Sequence, residues 1–276
     1  LMNDNKTSKN SIVAKFAVPI SFLILFFLAA NFTDCDLVTF WKRRNHLTDL
    51  VVDMIPPDFS YIQKILLPLF YTIQMSVTGT VLGIFFALVL SPFGAANLGF
   101  PAVIRRILRI VIQILRSFPA LILALTATFL FGLGTFAGTF AITLYTFAIM
   151  TKLTYEDASA ADVKAYQALR AMGVSKYVAY IHGILPEIIP GFLTNALYLL
   201  ETNVRHSSIL GYVGAGGIGL LLNEKISWLE YDKVGTILLM LFLTVCVIEY
   251  FSRYLAALIQ KERMIKKEQA RLLLLF

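Results

Sequence analysis

The chain reads as an all-α, polytopic membrane protein with about six transmembrane helices. Three observations carry that reading. Of its 276 residues 58% are hydrophobic and only 15% are charged, whereas a soluble domain carries about 25% charged residues; mean hydropathy is +0.75. The apolar residues gather in runs long enough for a hydrocarbon core of about 30 Å, which takes roughly 20 helical residues. The cations gather on one side of those runs, as membrane topology requires.

Lys6, Lys9 and Lys15 precede a first apolar run over residues 16–32. Ala29 and Ala30 are small enough to sit near a signal-peptide cleavage site, but a retained span followed by further spans is the simpler topology. Residues 31–64 are polar, with Trp41, the Lys42-Arg43-Arg44 triplet, His46 and Pro56-Pro57. They predict an external loop carrying a short interfacial helix, its basic triplet a solvated face or a lipid headgroup contact. Domain boundaries follow: 1–64 for the first span and loop, 65–260 for a core with a polar loop at 156–186, and 261–276 for a basic tail.

Residues 65–90 are uncharged and form the second span, with Gly79 and Gly83 at a spacing that lets helices approach closely. Turn residues and Arg105, Arg106, Arg109 and Arg116 follow. Residues 117–151 carry no charge and are too long for one span, so the glycines at 132, 134 and 138 divide them into two. After a polar island over 152–187, apolar pattern resumes at 188–200 and runs into Glu201, Asn203, Arg205 and His206. A glycine-rich stretch over 211–219 and a polar loop lead to the last span over 234–250. In it Glu249 reads as locally unpaired, either reaching a neighbouring helix or sitting near the interface.

With six spans and a cytoplasmic N-terminus, 17 of the 24 Lys and Arg residues fall on the cytoplasmic side. Both termini and the polar island are therefore placed in the cytoplasm. This distribution accounts for the net charge of +7 without nucleic acid, and the bilayer is the expected partner. Cys35 and Cys246, one in a loop and one in a span, suit neither a disulfide nor a metal. His46, His182 and His206 are scattered, and the chain has no nucleophile elbow, metal-ligand spacing or P-loop, so it is read as a non-enzyme.

Within the island a helix over about 158–172 carries Ala161, Ala165, Ala168, Leu169 and Met172 on one small apolar face. Gly173 fits the residue that ends it, Ser175 an N-cap for a second helix, and Pro186 the entry to the next span. An amphipathic hairpin lying on the membrane has the same periodicity. The spacing resembles the signature loop of ABC-importer permeases: Glu-Ala-Ala, three residues, Gly, nine residues, Ile, one residue, Leu-Pro. Ala168, Gly173, Leu185 and Pro186 stand in register; Gln167 replaces the acid, Leu169 an alanine and Gly183 the isoleucine.

Further stretches over about 61–260 are similar to the phosphonate-type branch of that family: Thr72-Ile73-Gln74-Met75, Arg116-Ser117-Phe118-Pro119, Gly132-Leu133-Gly134, Glu201-Thr202-Asn203-Val204-Arg205 and residues 211–219. Ala120 stands where an acid is expected. The resemblance implies a type I ABC importer permease-like fold and a bacterial inner-membrane location. Its loop of Gln167, Ala168, Gly173, Leu185 and Pro186 would couple to a cytoplasmic ATPase. It also implies a second permease copy, two ABC ATPase subunits holding ATP and Mg, and an extracytoplasmic solute-binding protein. The implied solute is phosphonate or a related phosphorus oxyanion, with methionine or another small solute as the alternative; an ion-coupled transporter would need inverted repeats and buried ionisable residues.

Glu201 and Arg205 share a helix face and can pair. Charge within a span marks either a structural pair or a functional site. The functional reading has Glu201, Asn203, Arg205, His206 and Ser207 lining the pathway, since an arginine fork suits an oxyanion. Gly214, Gly216, Gly217 and Gly219 match G-x-G-x-x-G, but a dinucleotide site needs a strand before and a helix after. Between two spans they predict a tight turn or close helix contact.

Overall fold

The computed structural model describes residues 4–33 and 37–273, with side chains over 17, 19–33 and 41–261. Cys35 lies outside the described residues. The chain divides into two compact units, residues 1–53 and 54–276. The first comprises α1 (Asp4–Phe32) and α2 (Leu37–Asp53). The first predicted span falls in α1, where the short stretch Pro19–Phe32 is apolar and its large side chains are exposed.

The second unit is a bundle of nine further α-helices among the described residues: α3 (Ile62–Gly94), α4 (Ala102–Ser117), α5 (Ala120–Phe131), α6 (Thr135–Ala160), α7 (Lys164–Ala171), α8 (Lys176–Gly183), α9 (Leu185–Leu210), α10 (Ile218–Ser227) and α11 (Tyr231–Leu273). The helices α3, α6 and α11 are each long and apolar enough to cross a membrane. Two bent pairs, α4 with α5 at 95° and α8 with α9 at 69°, raise the number to five if each pair is one span. The expected division of 117–151 occurs, with Gly132 to Gly134 between α5 and α6. Helix α5 is short, about 18 Å at twelve residues, because Phe118 and Pro119 are extended and break it from α4.

Helices α3 and α6 form the spine. A Cβ added at Gly79 would come within 2.8 Å of Ile142, and one at Gly83 within 2.7 Å of Thr146. The two glycines thus let the backbones approach where lipid gives no hydrophobic drive for association and close packing must supply it. Alanines continue the seam: Ala124, Ala127, Ala137 and Ala141 pack with Met75, Ile142 and Leu210. Toward the other end, Ala87, Met150, Phe192, Ala196 and Leu199 join α9 to the spine. Tyr61, Ile65, Leu69, Ile218 and Ile237 seat α10 and α11 on the start of α3.

Hydroxyls one turn apart run along α3. Thr72, Ser76 and Thr80 each bond the carbonyl four residues back, at 2.9, 2.8 and 2.5 Å. This keeps their own polarity satisfied in an apolar run and leaves them facing α9 and the glycine loop.

Candidate functional site: a coupling elbow and a charged helix seam

The polar island folds as two short helices. The single helix expected over 158–172 is corrected: Ala161 is extended after the end of α6, and the Asp162 carboxylate accepts from the Lys164 amide at 2.9 Å. That bond, followed by attraction to the Lys164 ammonium, holds the Asp162 carboxyl below its usual range. Asp162 N–H in turn donates to Glu187 Oε2 at 3.2 Å, tying the turn to the start of α9. A new helix therefore starts at Lys164.

At the far end of α7, Gly173 adopts φ +85°. Its N–H donates to Arg170 O at 3.1 Å and the Val174 N–H to Leu169 O at 3.2 Å, the paired bonds of a Schellman ending. Ser175 then caps α8 by accepting from Val178 N. Leu185 opens α9 with Pro186 in its first turn, where a missing N–H costs nothing. Of the predicted coupling residues, Gln167, Ala168, Gly173 and Pro186 are exposed and Leu185 is half-buried. Ala168, Ala171, Met172 and Gly173 form an exposed, small apolar tip.

Beneath that tip the elbow is anchored. Tyr166, Ala179, Tyr180 and Ile184 pack with Leu98 from the α3–α4 connection, Tyr155 and Ala158 from α6, and Ile188 from α9. Tyr166 donates its hydroxyl to Leu98 O at 2.7 Å, and burial pushes its phenol above the usual range. Lys176 Nζ donates to Gly99 O. Gly183 is the residue the sequence reading undervalued: a Cβ there would lie 2.8 Å from the Tyr166 backbone nitrogen and 2.9 Å from its Cα. The sequence signal was the departure from isoleucine itself, since a glycine at a helix end commonly marks close backbone approach.

The five candidate pathway residues lie on α9 but face three ways. Asn203 and Ser207 are fully buried. Asn203 Nδ2 donates to Thr80 Oγ1 and Thr146 Oγ1, both at 2.7 Å, and Ser207 Oγ donates to Thr72 O at 3.2 Å. In this conformation those two side chains tie α9 to α3 and α6. His206 turns toward α6 and stacks edge-on with Tyr145 at 5.1 Å, beside a cavity of about 340 Å³ bordered by Pro119, Ala120 and Leu121.

Glu201 and Arg205 face α11. Arg205 donates to Glu201 and lies 3.9 Å from Glu249, which is itself paired with Arg253 one turn on. The expectation that Glu249 has no local partner is therefore corrected by Arg253, while the expected reach to a neighbouring helix is found in its approach to Arg205 on α9; the i,i+4 spacing to Arg253 was legible but fell at the margin of the apolar run. Glu201 has a side chain only 10% exposed while that of Arg205 is 50% exposed. The four charges border a cavity of about 330 Å³. It shares Thr194 with a larger one, about 550 Å³, that reaches Asp157, Glu187 and Gln260 beside the elbow.

The glycine loop closes the end of the bundle opposite the elbow. Gly214, Gly216 and Gly217 all have positive φ. Gly134 N–H donates to Gly214 O at 2.9 Å, and Ile218 N–H to Thr72 Oγ1 at 2.8 Å. Gly219 lies so near Gly211 and Ser208 that a side chain has no room. No strand precedes the motif among the described residues.

The chain belongs to the family described as binding-protein-dependent transport system inner membrane component, which it matches over residues 79–263. It is similar to the phosphite transport system permease protein PtxC of Stutzerimonas stutzeri, with 31% identity over 217 residues, 79% of each chain. It is also similar to the phosphate-import permease protein PhnE of Mycolicibacterium smegmatis, with 32% identity over 203 residues, 73% of this chain and 38% of that one. Among solved structures, an inward-facing MetNI methionine ABC transporter matches with TM-score 0.64 at 20% identity, covering 73% of this chain and 99% of that one. The fold is that of an ABC importer permease.

Proposed function

We propose that the chain is the membrane-spanning subunit of an ATP-driven bacterial importer for a phosphorus oxyanion: phosphonate, phosphite or phosphate. The observation that carries the substrate class is the similarity, across about three quarters of the chain, to permeases named for phosphite and phosphate. In this reading it works as a homodimer in the inner membrane, with both termini in the cytoplasm. Two ABC ATPase subunits bind ATP with Mg and hydrolyse it, and an extracytoplasmic binding protein delivers the solute.

Closure of the ATPase pair would press on the exposed tip at Ala168, Ala171, Met172 and Gly173. Because the elbow is bonded to the α3–α4 connection through Tyr166 and Lys176 and to α9 through the Asp162 turn, displacement of the tip moves the ends of several helices together. That is the rigid coupling alternating access requires. Arg205 would supply the positive charge an oxyanion meets, with His206 on the neighbouring face, while Asn203 and Ser207 hold the helix crossing. The chain itself performs no covalent step.

The test is ATPase activity and uptake by the co-purified complex in proteoliposomes. The binding protein is offered phosphite, phosphate, methylphosphonate or methionine in turn. Stimulation by one of the phosphorus oxyanions alone is expected. Stimulation by methionine alone would overturn the substrate class.

A further inference from the structure

We propose that α4 lies in the plane of the membrane surface at the elbow end of the bundle and binds anionic lipid headgroups through Arg106 and Arg116. This goes beyond the transport reading and holds for any solute.

Helix α4 carries four arginines and no acid over sixteen residues, and it meets α5 at 95°. At 100° per residue, Val103, Ile104, Ile107, Ile110, Val111 and Ile114 share one side, and all six are exposed. Ile112, on the opposite side, is the buried contact with the bundle. The arginines divide by task. Arg109 Nε donates to Gly94 O at 3.0 Å, with its guanidinium over the Tyr155 ring, and Arg105 donates to Ala96 O at 3.3 Å. Arg109 thus caps the carboxyl end of α3, where a cation is favoured, and Arg105 holds the connection just beyond it. Arg106, on the edge next to the apolar side, and Arg116, in the last turn, are exposed.

Depth decides the placement. Arg105 and Arg116 are eleven residues apart, about 16 Å along a helix. If α4 crossed the bilayer as the first half of a broken span, one end of this series would sit in hydrocarbon, where an unpaired arginine is costly. Lying in the plane puts every arginine at headgroup level and the six exposed apolar side chains in the acyl boundary, the signature of an interfacial helix. The extended residues at 118–119 and the turn at 132–134 then lengthen the short α5 enough to complete its own crossing. Charge complementarity selects an anionic leaflet, because nothing acidic on α4 offsets its cations.

The test uses the full complex in vesicles of phosphatidylcholine with or without phosphatidylglycerol. Single spin labels are placed at Ile104→Cys, Ile107→Cys, Val111→Cys or Ile114→Cys, with Cys35 and Cys246 replaced by serine. Oxygen and nickel accessibility then gives depth, and uptake by each labelled complex shows that it is assembled. The proposal expects all four labels at one shallow depth, and phosphatidylglycerol binding that falls at least fivefold in R106Q/R116Q. A gradient of about 15 Å between 104 and 114 would show a span and overturn it. Exclusion of both reagents with spin–spin broadening would show a second copy on this face and overturn it equally, as would headgroup binding unchanged in R106Q/R116Q.

Discussion

Gly173 and Gly183 sit ten residues apart in the elbow and are glycine for different reasons. At Gly173 a Cβ would meet nothing within 4 Å, but φ is +85°, so alanine there costs about 1 kcal/mol from backbone conformation alone. At Gly183 the obstacle is backbone: the start of α7 lies within 3 Å of the added atom, and overpacking of that kind costs about 2–3 kcal/mol. Gly183→Ala should therefore loosen α7 and α8 more than Gly173→Ala. Hydrogen exchange over residues 164–183 in the assembled complex measures the difference, and equal protection in the two variants would contradict the assignment. The sequence alone made Gly173 legible, since a helix followed by glycine is a local pattern. Gly183 was not, because the contact it permits joins residues 17 apart whose approach depends on how the two helices fold back.

Among elements, the seam between α9 and α11 is where a sequence reading and the folded chain differ most usefully. Spacing within α9 was enough to pair Glu201 with Arg205. Only the packing of α11 brings Glu249 and Arg253 beside them. The arginine proposed to meet an oxyanion is thus already paired with Glu201 in this conformation and lies near a Glu249 that Arg253 shares. Removing it leaves Glu201, with its side chain nearly buried, without its main partner. Arg205→Ala should destabilise the subunit by about 2 kcal/mol, below the figure for a fully buried pair because Arg205 is half exposed. The double variant Glu201→Gln/Arg205→Gln restores neutrality and should restore thermal stability. If uptake returns with stability, the pair is structural only; if uptake stays lost, Arg205 acts in the pathway, which is the expected result. The threonine and serine ladder on α3 was visible as hydroxyls four apart in an apolar run, yet its partners Asn203 and Thr146 come from helices far along the chain.

At the scale of the whole molecule, long-range composition carried the fold class. Scarce charge and apolar runs are global quantities that do not depend on contacts. The number and boundaries of the crossings depended on local breaks instead, and these misled where a break was a bend. Pro119 and the extended Phe118 turn what reads as flanking sequence into a separate helix, α4, at right angles to α5. Likewise the polar island was recognisable as an elbow from Gly173, Ser175 and Pro186, while the break at Ala161 depended on a hydrogen bond between Asp162 and the backbone that composition does not announce.

If the α7–α8 elbow receives the motor subunit, its exposed tip is where the two meet. Met172 is 70% exposed and makes no contribution to the anchoring cluster. With Cys35 and Cys246 replaced by serine, Met172→Cys in the assembled complex is treated with a short bismaleimide against single cysteines on the partner proteins. Cross-linking to the ATPase subunit, with a yield that changes when ATP is added, is the predicted result. Cross-linking to the solute-binding protein, or none to the ATPase in a complex that still transports, would show that the elbow is not the motor's docking site.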